Sequence, residues 1–363
     1  MTGIRYGLGR NAQDQIIGSL LGTAVGDAIG LPYEGLNRRR GVKMLGSPDR
    51  HRFLFGHGMV SDDTEQTCLV AQSLIESGGD PGRFQQSLAR CLRLWLLGIP
   101  AGIGLATLRS ILRLWLGYSS QRSGVYSAGN GPAMRAAILG VSIADPRELQ
   151  QFVRASTRIT HTDPKAEIGA FVVAAAAQIA AQGLTESPDE FLVQLTSYLG
   201  NAYQAEAAEM VELVSSVVGS VKRGDSTETF AVAIGLSRGV TGYVYHTVPV
   251  ALHAALSFPG DYRAAISSVI RCGGDTDTTA AITGGIVGAT VGRSGIPQDW
   301  ISDLIEWPRT ISWMERLGTQ LASIDRSSAG RPIRLPVLGV AVRNFLFIVV
   351  VLAHGFRRLG PPY

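Results

Sequence analysis

Apolar positions recur at helical spacing along most of the 363-residue chain. Residues 13–29 put Ile16, Ile17, Leu20, Leu21, Ala24 and Ala28 on one face. Residues 62–76 carry Thr64, Thr67 with Cys68, Ala71, and Leu74 with Ile75 on one stripe, before Gly78–Gly79–Asp80–Pro81–Gly82 breaks the chain. Further helices are predicted over 83–97, 102–116, 130–143 and 146–160; the last repeats Leu149, Phe152, Val153 and Ser156 at i, i+3, i+4 and i+7. Asp163–Pro164 combines an Asp N-cap with Pro at the first helical position. The helix it opens, to about 181, is almost entirely apolar after Ile168, which places it centrally in the core. Predicted helices continue over 187–200, 204–222, 246–257, 261–271, 275–292 and 298–320. Extended alternation is nearly absent, so the fold class is all-α. No internal repeat interrupts a domain spanning 12–325; Ser327–Pro336, rich in Pro and Arg, leads into a C-terminal extension over 326–363.

Composition adds that the helices are closely packed: 44 Gly and many Ala let backbones approach. The formal charge of +4, without a long Lys/Arg run, predicts no specific nucleic-acid partner. Arg38–Arg39–Arg40 is expected to be a solvated loop. Cys68, Cys91 and Cys272 form no CxxC pair and lie in apolar stretches, as buried free thiols of a reducing compartment do. The N-terminal segment lacks the apolar core of a signal peptide, and a cytoplasmic location is expected. Phe345–Ala353 is an apolar run of nine, about half of the ~20 residues a membrane span requires. That length favours a short helix docked on the body or on a partner subunit over an in-plane membrane contact with Arg357 and Arg358 at the headgroups.

The candidate chemistry lies at two acidic helix starts. In Ser61–Asp62–Asp63–Thr64–Glu65, Ser61 is a ready N-cap and the acids suit a first turn. In Gly273–Gly274–Asp275–Thr276–Asp277–Thr278–Thr279, the capping account strains, because the helix that follows is apolar and Gly-rich. Carboxylates at the mouth of a buried helix are costly unless paired or metal-bound. Four carboxylates with hydroxyls are hard oxygen donors that suit Mg²⁺ or Mn²⁺ over zinc. They exceed what one divalent ion needs and would serve two.

Three further elements stand between or before these. Gly22–Glu34 ends a helix at Gly30 and places Glu34 on a loop; Asp27 reads as a helix acid satisfied by a nearby donor. Ser127–Arg135 is a glycine-rich turn into a helix whose free N–H groups suit a phosphate, a weak signal by itself. His161 stands just before a core helix.

In this order, the segments GDAIGLPYE, SDDTEQT, GNGPAMR, THTDP and GGDTDTTAAI resemble the ADP-ribosylglycohydrolase family from about Ile16 to Val291. The resemblance implies a compact orthogonal multi-helix fold with a binuclear magnesium or manganese site at helix N-termini. It implies cleavage of the bond between C1″ of ADP-ribose and an acceptor, either a modified protein or a small molecule. Carried over, Ser61, Asp62, Asp63, Asp275, Asp277 and Thr278 are the metal ligands, and Glu34 matches a glutamate near the metals. Ser127, Gly129, Asn130 and Gly131 match the diphosphate and ribose loop, and His161 a substrate contact. The catalytic set is then Glu34, Asp62 and Asp63, with either Asp62 or Glu34 as general base. Two positions depart from the family pattern: Ser61 where Thr is frequent, and Ala128 where some members carry an aromatic residue. The rival readings are a non-catalytic ADP-ribose-binding relative, a metal hydrolase of another nucleotide or sugar, and a membrane-associated scaffold.

Overall fold

Gly18, Gly22, Gly26 and Gly30 recur every fourth residue along the Arg10–Gly30 helix and form a strip without side chains. In the computed structural model, which describes residues 10–183, 187–324 and 328–361, this strip lies antiparallel against the Thr276–Val291 helix. A Cβ added at Gly22 would stand 2.2 Å from the Gly284 carbonyl oxygen, and one at Gly26 2.3 Å from that of Ala280. The two backbones therefore touch, which explains the Gly/Ala richness. The consequence is functional: the C-terminal end of the first helix, followed by Glu34, is fixed beside the start of the second, which carries Asp275 and Asp277.

The Pro164–Gln182 helix is central, as its all-round apolar character predicts, with Ile168 through Ile179 buried. Asp163 caps it by accepting from the Lys165 N–H at 2.9 Å. Every regular element among the described residues is a helix; the β pairings are isolated bridges.

Several expectations are corrected. Arg38–Arg40 is not a solvated loop: Asn37 caps a helix over Arg38–Leu45 by accepting from the Arg40 N–H at 3.0 Å. Arg38 reaches the carbonyls of Cys272 (3.3 Å) and Glu228 (3.1 Å), so tertiary acceptors organise this basic stretch. The single helix expected over 130–143 is two short ones, Gly131–Met134 and Ala137–Ser142, because Arg135 leaves helical geometry. The 298–320 helix is likewise divided into Gln298–Ser302 and Ile311–Ser323, and the intervening loop delivers Glu306 and Arg309 to the interior. A capped helix over Thr227–Ala233 was not predicted. Cys91 is only half-buried, whereas Cys68 and Cys272 are buried.

The C-terminal helix is also longer than its apolar run. It spans Val337–Arg357, 21 residues, and Arg343 continues it because the guanidinium finds partners inside the body. Among the described residues it is one of three helices long and apolar enough to cross a membrane; the other two are core helices. The boundary expected between residues 325 and 326 lies outside the described residues.

Candidate functional site

The two acidic starts open onto one cavity of about 560 Å³. Asp62 and Asp63 line it from one helix; Asp275, Asp277 and Thr278 line it from another. Glu34 contributes from the exposed loop, and Ser127, Gly129, Asn130, Gly131 and His161 form the remaining wall. Of the metal, catalytic and substrate residues that the resemblance assigns, Ser61 alone is not among the cavity lining.

The first start is held locally and from the first helix. Ser61 Oγ accepts from the Asp63 N–H (3.2 Å) and donates to Asp63 Oδ2 (2.8 Å). Asp27 accepts from the Ser61 N–H (2.9 Å), the Thr64 N–H (3.2 Å) and the Thr64 hydroxyl (2.5 Å). It therefore tethers this helix start rather than facing the cavity. Burial pushes Asp27 up to about 7 despite those donors. Glu65, one turn on, faces inward. It pairs with Arg309 at 3.0 Å and Arg343 at 3.4 Å and accepts from Trp95 Nε1 at 2.6 Å. Burial alone would raise its carboxyl, but the two guanidinium groups outweigh it and hold it below the usual value.

The second start has no side-chain cap. Its backbone is threaded between two loops: the Gly274 N–H donates to Leu36 O (2.8 Å), the Gly35 N–H to Gly274 O (2.7 Å), and the Asp275 N–H to Val240 O (2.9 Å). Gly273 and Gly274 have φ of +70° and +85°, and a Cβ on Gly274 would stand 2.0 Å from Val240 O. Only glycine fits there. The Asp275 carboxylate accepts from Asn130 Nδ2 at 2.7 Å, which ties the acidic start to the glycine turn.

That turn is already partly occupied. The Gly129 N–H donates to Ser127 Oγ (3.2 Å) and the Asn130 N–H to Gly242 O (2.9 Å). The helix after it has four residues, so the helix-dipole argument for a phosphate there falls away. Behind the turn, Arg135 is fully buried; it donates to Gln66 Oε1 (2.5 Å), and Gln66 donates to Asp62 Oδ2 (2.9 Å). Arg135 also donates to Thr160 Oγ1 (2.9 Å), which stands 2.9 Å from His161 Nδ1. Burial and the neighbouring Arg135 push His161 down to about 3, so the imidazole is neutral. Gln66 and Thr160 lie inside the segments SDDTEQT and THTDP, but their roles in this relay carry no sequence signal, because neither residue type is chemically distinctive. Gly102, Leu105, Thr107 and the Val240–Gly242 loop also line the cavity without a sequence signal.

The carboxylates repel one another. Burial, then the charges of neighbouring acids, hold Asp62, Asp63 and Asp277 well above the usual carboxylate range. Glu34 is raised by burial and by Asp275, tempered by Arg358. Asp63 Oδ1 and Asp277 Oδ1 are buried without a hydrogen-bond partner. Leaving such oxygens bare is costly. Among the described residues, no three His, Cys, Asp or Glu side chains are gathered tightly enough to be a metal centre as they stand. The unpartnered oxygens and the all-oxygen donor set nonetheless fit a hard divalent cation.

Comparison with known proteins identifies the family. Residues 9–329 match the family model described as ADP-ribosylglycohydrolase. The chain is 31% identical over 311 residues to an uncharacterized protein of Archaeoglobus fulgidus, covering 83% of this chain and 94% of that one. It is 27% identical to the ADP-ribosyl-[dinitrogen reductase] glycohydrolase of Rhodospirillum rubrum, covering 82% of this chain and 92% of that protein. A solved structure described as an ADP-ribosylglycohydrolase-related protein complex superposes with a TM-score of 0.60 at 27% identity, covering 87% of this chain and 99% of its own.

Proposed function

The chain belongs to the ADP-ribosylglycohydrolase family, and on that premise we propose that it hydrolyses the C1″ glycosidic bond of ADP-ribose attached to a protein side chain, with two Mg²⁺ or Mn²⁺ ions as cofactors. As an enzyme it is a hydrolase acting on glycosyl bonds. The protein acceptor is inferred from the Rhodospirillum rubrum relative, whose name specifies an ADP-ribosylated protein. The observation that carries the reading is the pair of buried, unpartnered oxygens on Asp63 and Asp277 in one carboxylate-lined cavity.

In this proposal Asp62, Asp63, Asp275, Asp277 and Thr278 hold the cations, with the Ser61 hydroxyl, now spent on Asp63, as the sixth donor. Bound divalent cations would orient the ribose hydroxyls and offset charge in the transition state. The rest falls to the chain itself. Asp62, raised by burial, or Glu34, raised by partial desolvation at the cavity mouth and by Asp275, takes a proton from the attacking water. Gln66 fixes the Asp62 carboxylate, and Arg135 fixes Gln66. Ser127, Gly129, Asn130 and Gly131 face the diphosphate, and neutral His161 offers Nε2 beside Gly129 as an uncharged contact.

The test is release of ADP-ribose from arginine-linked and serine-linked substrates with and without Mg²⁺, alongside calorimetric titration of Mg²⁺ into the protein. Metal-dependent release from one linkage is the expected result. Saturable ADP-ribose binding without release would identify a non-catalytic relative instead.

A further inference from the structure

The C-terminal helix buries Phe347 against Phe53 yet leaves most of its apolar side chains outward and turns its polar ones inward. Its polar side chains face the body: Arg343 pairs with Glu65 and Glu306, and Asn344 donates to Gly98 O at 2.7 Å. His354 donates to Phe53 O at 2.6 Å, and Arg358 at the end of the helix donates to Pro32 O at 3.0 Å. The outward arc is apolar from end to end. Leu338, Val342, Phe345, Val349, Leu352 and Phe356 project from it, with Leu338 77%, Phe345 68% and Phe356 71% exposed. The helix lies outside the 9–329 span shared with the family.

We infer that this helix seats the protein on an anionic lipid surface, lying in the plane of the membrane. Two observations select that occupant over a second copy of the chain. The spacing of the outward residues would suit a coiled-coil seam, but a seam between copies in water carries charged or polar flanks. Here the flanking positions are Ala341, Leu346, Ile348 and Ala353, so the apolar arc is much wider than a seam. Such a face, about 31 Å long at 1.5 Å per residue, matches a helix sunk to half its depth in lipid.

The second observation is charge. Exposed Arg331 and Arg334 precede the helix; Arg334 also pairs with Glu76 at 3.6 Å. At the other end, Arg40 donates to Arg358 O and Arg357 to Met44 O, which clamps the Arg38–Leu45 helix with its exposed Arg39 and Lys43 against the C-terminus. Basic residues thus bracket the apolar arc, as anionic headgroups require. Trp307, half-exposed and packed against Gly339, adds an aromatic anchor of the interfacial type. The inward bonds of Arg343, Asn344 and His354 hold the helix on the body, so it lies along the surface rather than crossing it.

The experiment is flotation of the full-length protein with vesicles of phosphatidylcholine, and with vesicles of phosphatidylcholine and phosphatidylglycerol in equal parts. The protein should float with the anionic vesicles at low salt and be released by added salt. The triple variant Phe345→Ser, Leu352→Ser, Phe356→Ser should stay in the soluble fraction with its hydrolase activity unchanged, because these side chains face away from the body. Removing charges with Arg331→Gln and Lys43→Gln should weaken vesicle binding by about fivefold per charge; these exposed positions keep the test open should the triple variant not fold. Failure of the native chain to float overturns the proposal, as does equal flotation with neutral vesicles. A dimer in sedimentation that the triple substitution dissociates, with no vesicle binding, would assign the face to a second copy.

Discussion

The two acidic helix starts look alike in sequence and are built differently. Ser61–Glu65 is organised by its neighbours in the chain: Ser61 caps the helix, and the same hydroxyl donates to Asp63. Asp275–Thr279 has no side-chain cap and is held by threading between the Leu36 and Val240 backbones and by Asn130. The acids divide as well. Glu65 is neutralised by Arg309 and Arg343, whereas Asp63 and Asp277 each keep a buried oxygen with no partner. The contrast separates carboxylates that support the structure from carboxylates whose crowding and bare oxygens weaken it.

The sharpest test of that division substitutes one acid of each kind. Glu65→Gln should destabilise the protein by about 3–5 kcal/mol in urea unfolding, because it leaves Arg309 and Arg343 buried with Glu306 alone. Asp277→Asn should raise the metal-free melting temperature, by relieving repulsion, and abolish turnover. If both substitutions destabilise alike, the division is wrong.

Threading at the second start is tested by Gly274→Ala. A Cβ facing Val240 O at 2.0 Å with φ at +85° should cost about 3 kcal/mol or prevent folding. A loss below ~1 kcal/mol in the same unfolding assay would show that the segment relaxes freely.

The pH dependence of the metal-free protein follows from the raised carboxyls. Their folded pKa lies above the unfolded value, so the folded state binds more protons between the two. Stability then falls as pH rises through that window, from 3.8 to about 7 for Asp27, by at most ~1.4 kcal/mol per pH unit for each such group. Thermal melts from pH 7 to 9, above the window in which the lowered histidines such as His161 and His253 act in the opposite sense, should therefore decline with pH without metal, and saturating Mg²⁺ should flatten the decline. A metal-free melt that rises over that range would contradict the assigned crowding.

The smallest effects compare the anchors themselves. Ser61→Ala should cost about 1 kcal/mol as a lost cap. Asn130→Ala removes a hydrogen bond to a carboxylate, about 1.5 kcal/mol, and should additionally raise KM, since Asn130 lines the cavity. An Asn130 effect confined to stability would remove it from substrate binding.

Much of this was legible beforehand where the signal is local. Asp163–Pro164 announces its helix because cap and first turn are adjacent in the chain. Ser61 announces its cap for the same reason. Arg38–Arg40 reads as solvated because its partners are remote: the helix starts at the Asn37 cap, but Arg38 is held by the carbonyls of Glu228 and Cys272, about two hundred residues away. The C-terminal helix extends past its apolar run because Arg343, an apparent interruption, pairs with Glu65 and Glu306, 278 and 37 residues away in the chain. The buried relay from Asp62 through Gln66 and Arg135 to Thr160 and His161 had no local signature.

The sequence by itself determined the helical class, the central Pro164–Gln182 helix, the acidic starts and the order of motifs that marks the family, since periodicity, capping and residue type act over a few positions. Tertiary structure alone decided which acid faces the cavity and which is paired. It also set how the glycine strip of the first helix brings Glu34 against Asp277, and why the polar face of the last helix turns inward. Those outcomes depend on contacts between residues far apart in the chain, where burial sets the energetic cost of every unpaired charge.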